Sequence, residues 1–156
     1  MDVVEITLPL PASLVVPHTG RLSLLRNVVA HSPSETLCDV LIEPQSLFIR
    51  DSGVRSWVAL EYMAQAVAAH AGMVARCAGE KPKIGFLLGA RRMEMKTSTF
   101  SQGVLLHIRV KHLWGEGDLF SFHCGVSRAG QEEILVSAEI NVFRPPNVED
   151  FFQEEK

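Results

Sequence analysis

Between Arg55 and Arg76 the chain carries one formally charged side chain, Glu61. The stretch is rich in Ala, Met and Leu and has no Gly or Pro before Gly72, which predicts a helix from Arg55 to about Ala78. A helix that is apolar nearly all round must be buried nearly all round. Glu61, Gln65 and His70 count against a membrane span, because a carboxylate inside a spanning helix is expensive. Ser52 or Ser56 is the expected N-terminal cap. Ala64, Ala66, Ala68, Ala69, Ala71 and Gly72 leave room for another layer to approach closely. At about 1.5 Å per residue such a helix spans roughly 33 Å, and the rest of the chain has to cover it.

That remainder reads as strands. Leu22–Val29 and Thr36–Ile42 are two short ones, with turn chemistry at Ser32-Pro33-Ser34 between them. Glu43 to Val54 is irregular, broken by Pro44 and Asp51-Ser52-Gly53. After the helix, Lys83–Met95 reads as a strand. Val104, Leu106, Ile108 and Val110 then alternate with His107, Arg109 and Lys111. Phe120 to Val126 and Ile134 to Val142 alternate in the same way. Gly115-Glu116-Gly117-Asp118 and Arg128-Ala129-Gly130-Gln131 supply the hairpin turns. The order strand, strand, helix, four strands gives an α+β fold, an antiparallel sheet wrapped around one long central helix. Wrapping one helix this way leaves its far side and an edge strand uncovered, so a dimer is expected. The 156 residues suit a single domain, with a core from about 17 to 145 and an acidic tail, 146–156, in which Phe151 and Phe152 are candidates to dock.

Composition narrows the function classes. Fifteen Lys and Arg against 18 Asp and Glu leave a net charge of −3, without the basic excess of a nucleic-acid binder. Cys38, Cys77 and Cys124 have no metal-ligand spacing, and their odd number argues against a disulfide framework. They read as buried small apolar residues in a reducing compartment. The N-terminus lacks a basic stretch followed by a long apolar run, so no secretory signal and a cytoplasmic location are expected. No Cys-x-x-Cys, His-x-x-His, phosphate loop or Gly-x-Ser-x-Gly elbow is present.

Glu61 is the leading candidate for chemistry. Burying an unpaired carboxylate costs several kcal/mol or forces it to keep its proton, and a protonated carboxyl is a useful general acid. Gln65, one turn further on, shares its face and can hydrogen-bond it. The alternative is a structural carboxylate paired with Arg21, Arg91 or another strand residue. His18, in Pro17-His18-Thr19-Gly20, either faces a cleft or caps local backbone. His70 points off the Glu61 face and reads as a satisfied core or interface histidine. His107, His112 and His123 fall on strands, and His107 belongs to the solvated alternation.

Leu60-Glu61-Tyr62-Met63-Ala64-Gln65-Ala66 resembles the Glu-x-Met-Ala-Gln-Ala helix of the hotdog-fold 3-hydroxyacyl-(acyl carrier protein) dehydratases. Pro17-His18-Thr19-Gly20-Arg21-Leu22-Ser23-Leu24-Leu25 resembles the Pro-His-x-x-Pro-x-Leu-Leu segment of the same enzymes. Phe86-Leu87-Leu88-Gly89 and Ser101-Gln102-Gly103-Val104 fall where that family has its tunnel strand and following turn. The resemblance runs from about Pro17 to Pro145. It is closest to a divergent subgroup associated with aryl-polyene or polyketide-like gene clusters. One departure stands out. The family's catalytic histidine sits in a Gly-His-Phe-Pro-Gly loop ahead of the helix, and here Gln45 to Gly53 contains none. Either another histidine, most plausibly His18, takes the role, or the chain is not active by itself.

The resemblance implies dehydration of a 3-hydroxyacyl thioester, on acyl carrier protein or CoA, to the trans-2-enoyl thioester in fatty-acid or polyene-type biosynthesis. Glu61 is the implied acid and His18 the implied base. Gln65, Gly53, Trp57, Phe86 and Leu88 are the implied substrate-binding residues, and no metal or organic cofactor is required. Backbone N–H groups from Gly53 to Ser56 would stabilise the thioester oxygen. The acyl chain would lie along the helix and the Ile84–Leu88 strand, and Arg50, Arg55, Arg91 or Arg92 would meet the phosphopantetheine arm. An acyl thioesterase, in which the carboxylate activates water, and a non-catalytic hotdog subunit pairing with an active dehydratase are the alternatives. The assembly is expected to be a homodimer or larger, or a hetero-oligomer with a related dehydratase.

Overall fold

The computed structural model describes residues 6–17, 22–81 and 85–145. The N-terminal residues 1–5, His18–Arg21, the expected strand start at Lys83 and Ile84, and the acidic tail with Phe151 and Phe152 lie outside the described residues. In chain order the elements are β1 (Leu10–Pro11), β2 (Asn27–Ser32), β3 (Glu35–Leu41), β4 (Ile49–Arg50), β5 (Gly53–Arg55), α1 (Ala59–Cys77), β6 (Phe86–Met95), β7 (Thr99–Ser101), β8 (Leu105–Glu116), β9 (Leu119–Arg128) and β10 (Val136–Phe143). Seven strands form one antiparallel sheet in the order β1-β2-β3-β8-β9-β10-β6. β4, β5 and β7 form a second, three-stranded sheet. No helix among the described residues is long and apolar enough to cross a membrane.

The period-two pattern places the core. Leu106, Ile108 and Val110 of β8, Cys124 and Val126 of β9, and Ala138 and Ile140 of β10 are all buried on one sheet face. α1 lies on that face and presents Tyr62, Met63, Ala66, Ala69 and Met73 to it. One stripe of the helix is less covered: Glu61, Ala64, Ala68, Ala71 and Val74, spaced by three or four residues. The helix is therefore buried on most but not all of its circumference. Small residues do admit a second layer. The segment after β1 folds as a 3-10 turn over Ala12–Leu14 and presses on Gly72 so closely that a Cβ there would collide with the Val15 carbonyl oxygen.

Several expected boundaries move, each for a physical reason. The helix is entered through a 3-10 turn, Ser56–Val58, and has no side-chain cap. Ser56 instead turns its hydroxyl to the Met95 sulfur at 3.6 Å, and Ser52 lies in the turn before β5. The first long strand begins at Asn27, not Leu22, because the backbone of Leu22 and Leu24 is hydrogen-bonded by a helix side chain rather than by a strand. The stretch expected to be irregular holds the β4–β5 hairpin. Its two turn residues, Asp51 and Ser52, have φ of 53° and 81°, the left-handed pair that a two-residue hairpin loop demands. Two register shifts interrupt the β6–β10 ladder. In one, Leu88 is inserted between the pairs Leu87↔Val142 and Gly89↔Asn141. Cys38 and Cys124 are buried as expected, and burial pushes the Cys38 thiol up to about 12. Cys77, at the end of α1, is exposed.

Candidate active site

Glu61 sits in the first turn of α1, half-buried. Gln65, one turn on, is 1% exposed, and its amide is almost fully used. Its Nε2 donates to Glu61 Oε1 at 3.1 Å and to the Leu22 carbonyl at 2.7 Å, while its Oε1 accepts from the Leu24 N–H at 2.9 Å. The two backbone bonds fix the amide's orientation, since a flipped amide would set oxygen against the Leu22 oxygen. Glu61 thus always faces a donor. The same side chain ties the acid to the segment that follows His18–Arg21.

Glu61 opens onto a cavity of about 570 Å³. The less covered helix stripe, from Glu61 through Ala64, Ala68 and Ala71 to Val74, forms one wall. Leu14 to Pro17 form another, and Leu87 with Val142 a third. The volume and the mainly apolar lining suit a small-molecule site. At about 1.5 Å per residue the stripe runs on the order of 20 Å, long and narrow enough for an extended hydrocarbon chain.

Beyond this wall the lining changes character. His70, His112, Phe120, Phe122 and Arg144 contribute to the same cavity. His70 is 5% exposed, and its Nδ1 lies 2.7 Å from Thr36 Oγ1, which is 2.8 Å from His31 Nδ1. The Pro33 carbonyl accepts a further hydrogen bond from the His70 ring. A neutral imidazole has one donor and one acceptor, so this set satisfies it completely. Burial, joined by the like charges of His31, His112 and Arg144, pushes His70 down to about 4, and the bond to Pro33 opposes the shift only in part. Burial also lowers His31. His70 is the satisfied core histidine that its position off the Glu61 face suggests.

The remaining candidate residues are placed as follows. His18 and Arg21 lie outside the described residues, although Pro17, immediately before them, lines the cavity. Gly53 lies in β5, where a Cβ would come within 2.9 Å of the Phe100 carbonyl oxygen, so the glycine serves the close approach of β7. The Ser56 N–H, one of the donors expected for a thioester oxygen, is taken by the Ser98 carbonyl. Trp57 is 60% exposed and packs against Phe48 with ring centroids 6.4 Å apart. Leu88 lines a separate, shallower cavity of about 290 Å³ with Gly89, Ala90 and Arg91. Leu87 is the strand residue that reaches the Glu61 cavity, because the bulge at Leu88 shifts the alternation. Phe86 is half-buried, and Arg50, Arg55, Arg91 and Arg92 are exposed. His112 and Arg144 are cavity residues that the sequence pattern does not mark as a site. For His112 a signal exists: it continues the inward parity of Leu106, Ile108 and Val110.

Comparison with known proteins agrees with this geometry. A family profile described as ApeP dehydratase, ApeP-like, matches residues 10–153. A chain of the dehydratase heterocomplex ApeI:P from Xenorhabdus doucetiae superposes with a TM-score of 0.82 at 27% identity, covering 94% of this chain and 99% of that one. More distant folds include zebra fish thioesterase superfamily member 2, with a TM-score of 0.60 at 12% identity over 82% of this chain and 86% of the other. Another is a hypothetical thioesterase protein with coenzyme A from Streptococcus pneumoniae, with a TM-score of 0.57 at 10% identity over 76% and 84%. No curated protein matches the sequence. The antiparallel sheet around one long helix is the hotdog fold, and the chain belongs to the ApeP-like family of dehydratases.

Proposed function

We propose that this chain removes water from a 3-hydroxyacyl thioester, carried by acyl carrier protein or CoA, in a polyene- or fatty-acid-type pathway. The observation that carries the reading is Glu61, oriented by Gln65 at the head of an elongated apolar cavity. Loss of water from such a thioester needs a base to take the α-proton and an acid to protonate the departing β-hydroxyl. Glu61 is the acid. Gln65 is a positioning residue, holding Oε1 of the carboxyl that lines the cavity.

His18 is the proposed base. Support comes from its neighbours: Pro17 lines the cavity, and Leu22 and Leu24 are anchored by Gln65. The acyl chain lies along the alanine stripe, against Leu87 and Val142. Trp57, exposed beside the start of the helix, and Arg50 and Arg55 are proposed to meet the thioester arm. Gly53, Phe86 and Leu88 support the strands that shape the site.

The test presents one 3-hydroxyacyl thioester to the purified chain and measures enoyl product and released thiol together. Enoyl product that falls at least about 100-fold in Glu61→Gln fits an acid role. Thiol release without enoyl product sinks the dehydratase reading in favour of a thioesterase.

A second reading, a subunit that works only beside a related dehydratase, draws support from two observations. Gln45 to Gly53 holds no histidine, and the ApeI:P relative is described as a heterocomplex. Turnover seen only on mixing with such a partner, and unchanged by Glu61→Gln in this chain, identifies that case.

A further inference from the structure

The cavity has two chemically different ends. Glu61, at one, is its only acidic lining residue among the described residues. His70 lies about 13 Å further along the helix axis, at about 1.5 Å per residue, and basic groups gather around it. Ring contacts form a continuous chain there. His70 meets Phe122 at 5.7 Å, Phe122 meets His112 at 5.3 Å, and His112 meets Phe120 at 6.0 Å. The Arg144 guanidinium lies over the Phe120 ring, 4.4 Å from its centroid.

One of these basic groups has hydrogen-bonding capacity to spare. Arg144 makes no ion pair among the described residues. His112 Nε2 is buried without a hydrogen-bond partner among them, but it lies against Gly115 and not on the cavity surface, so His112 contributes its ring to the wall. His70 also serves as wall, because Thr36 and Pro33 already occupy its ring. A concave site that sets a guanidinium beside aromatic rings, with no carboxylate close to it in the lining among the described residues, is complementary to an anion.

We propose that the end of the cavity remote from Glu61 is an anion-binding subsite in which Arg144 takes an anionic oxygen group borne by the thioester substrate. This rests on the cavity being the acyl-thioester site. Two sources share that chemistry: a carboxylate at the far end of the acyl chain, or a phosphate of the thioester arm, the second requiring that the arm enter at this end and not past Trp57, Arg50 and Arg55.

Calorimetric binding to the full chain separates them without any turnover. Four probes suffice, the three thioesters among them having equal acyl length. Two are N-acetylcysteamine thioesters ending in a methyl or a carboxylate, and two are the methyl-ended CoA thioester and free CoA. At least about tenfold tighter binding of the carboxylate-ended probe than of its methyl twin places the anion on the chain. The same preference for the CoA thioester over the methyl-ended N-acetylcysteamine thioester, with measurable binding of free CoA, places it on the arm. In either case Arg144→Gln should abolish most of the preference, and Arg144→Lys should restore part of it. The proposal is overturned if wild type prefers neither anionic probe, if no probe binds, or if Arg144→Gln retains the preference. Absence of enoyl product alongside an intact binding preference would instead count against the dehydratase reading alone.

Discussion

At the residue scale, Gln65 joins three things that a sequence keeps apart: the acid, Leu22 and Leu24. Gln65→Ala strands a backbone carbonyl and a backbone N–H in a part-buried position, which costs about 1–3 kcal/mol per unsatisfied group. Urea unfolding should show that loss, and turnover should fall with it because Glu61 loses the Gln65 amide that orients it. His70 gives a pH dependence with a definite sign. The unfolded imidazole takes its proton near 6.5 and the folded one near 4. Between those values the unfolded state binds more protons, so stability is complete above about pH 6.5 and declines as pH falls towards 4. In urea melts at several pH values, His70→Gln should flatten that part of the slope relative to wild type. The Glu61–Gln65 pair was legible from its four-residue spacing on a helix. The switch from Leu88 to Leu87 was not, because one inserted residue inverts every side chain beyond it and alternation alone cannot reveal where the insertion falls.

At the element scale, the long helix and the paired strands β8, β9 and β10 followed from hydrophobic period, since each buries a full face or stripe. Elements held by side chains or turns were harder to read. Leu22 to Leu25 has the composition of a strand, yet an amide from the helix takes the place of a neighbouring strand. Asp51-Ser52-Gly53 reads as a breaker, although a two-residue turn between Arg50 and Gly53 makes a hairpin. The helix relies on tertiary contact more than on its own capping, and Gly72 tests this. Alanine is the better helix former by about 1 kcal/mol, but overpacking against the Val15 backbone costs about 1–3 kcal/mol. Gly72→Ala should therefore lower the melting temperature by several degrees despite its propensity. A melting temperature equal to or above wild type would mean that the 3-10 turn yields freely.

At the scale of the whole molecule, β6 is a ten-residue edge of the seven-stranded sheet, with Leu87, Leu88 and Met95 45%, 60% and 52% exposed. An edge this long and apolar invites pairing. Sedimentation should find wild type associated, with itself or with a related dehydratase, and Leu88→Lys should shift it towards the monomer. Association indifferent to Leu88→Lys would place the contact elsewhere. The contact at Gly72 also bears on the cavity. The turn resting on that glycine continues into Val15, Val16 and Pro17, which form the wall opposite the alanine stripe. The bore of the slot is set by how near that turn can settle, and position 72 governs it without touching the lumen. Enlarging this residue should widen the slot, admitting bulkier chains at the expense of a looser fold.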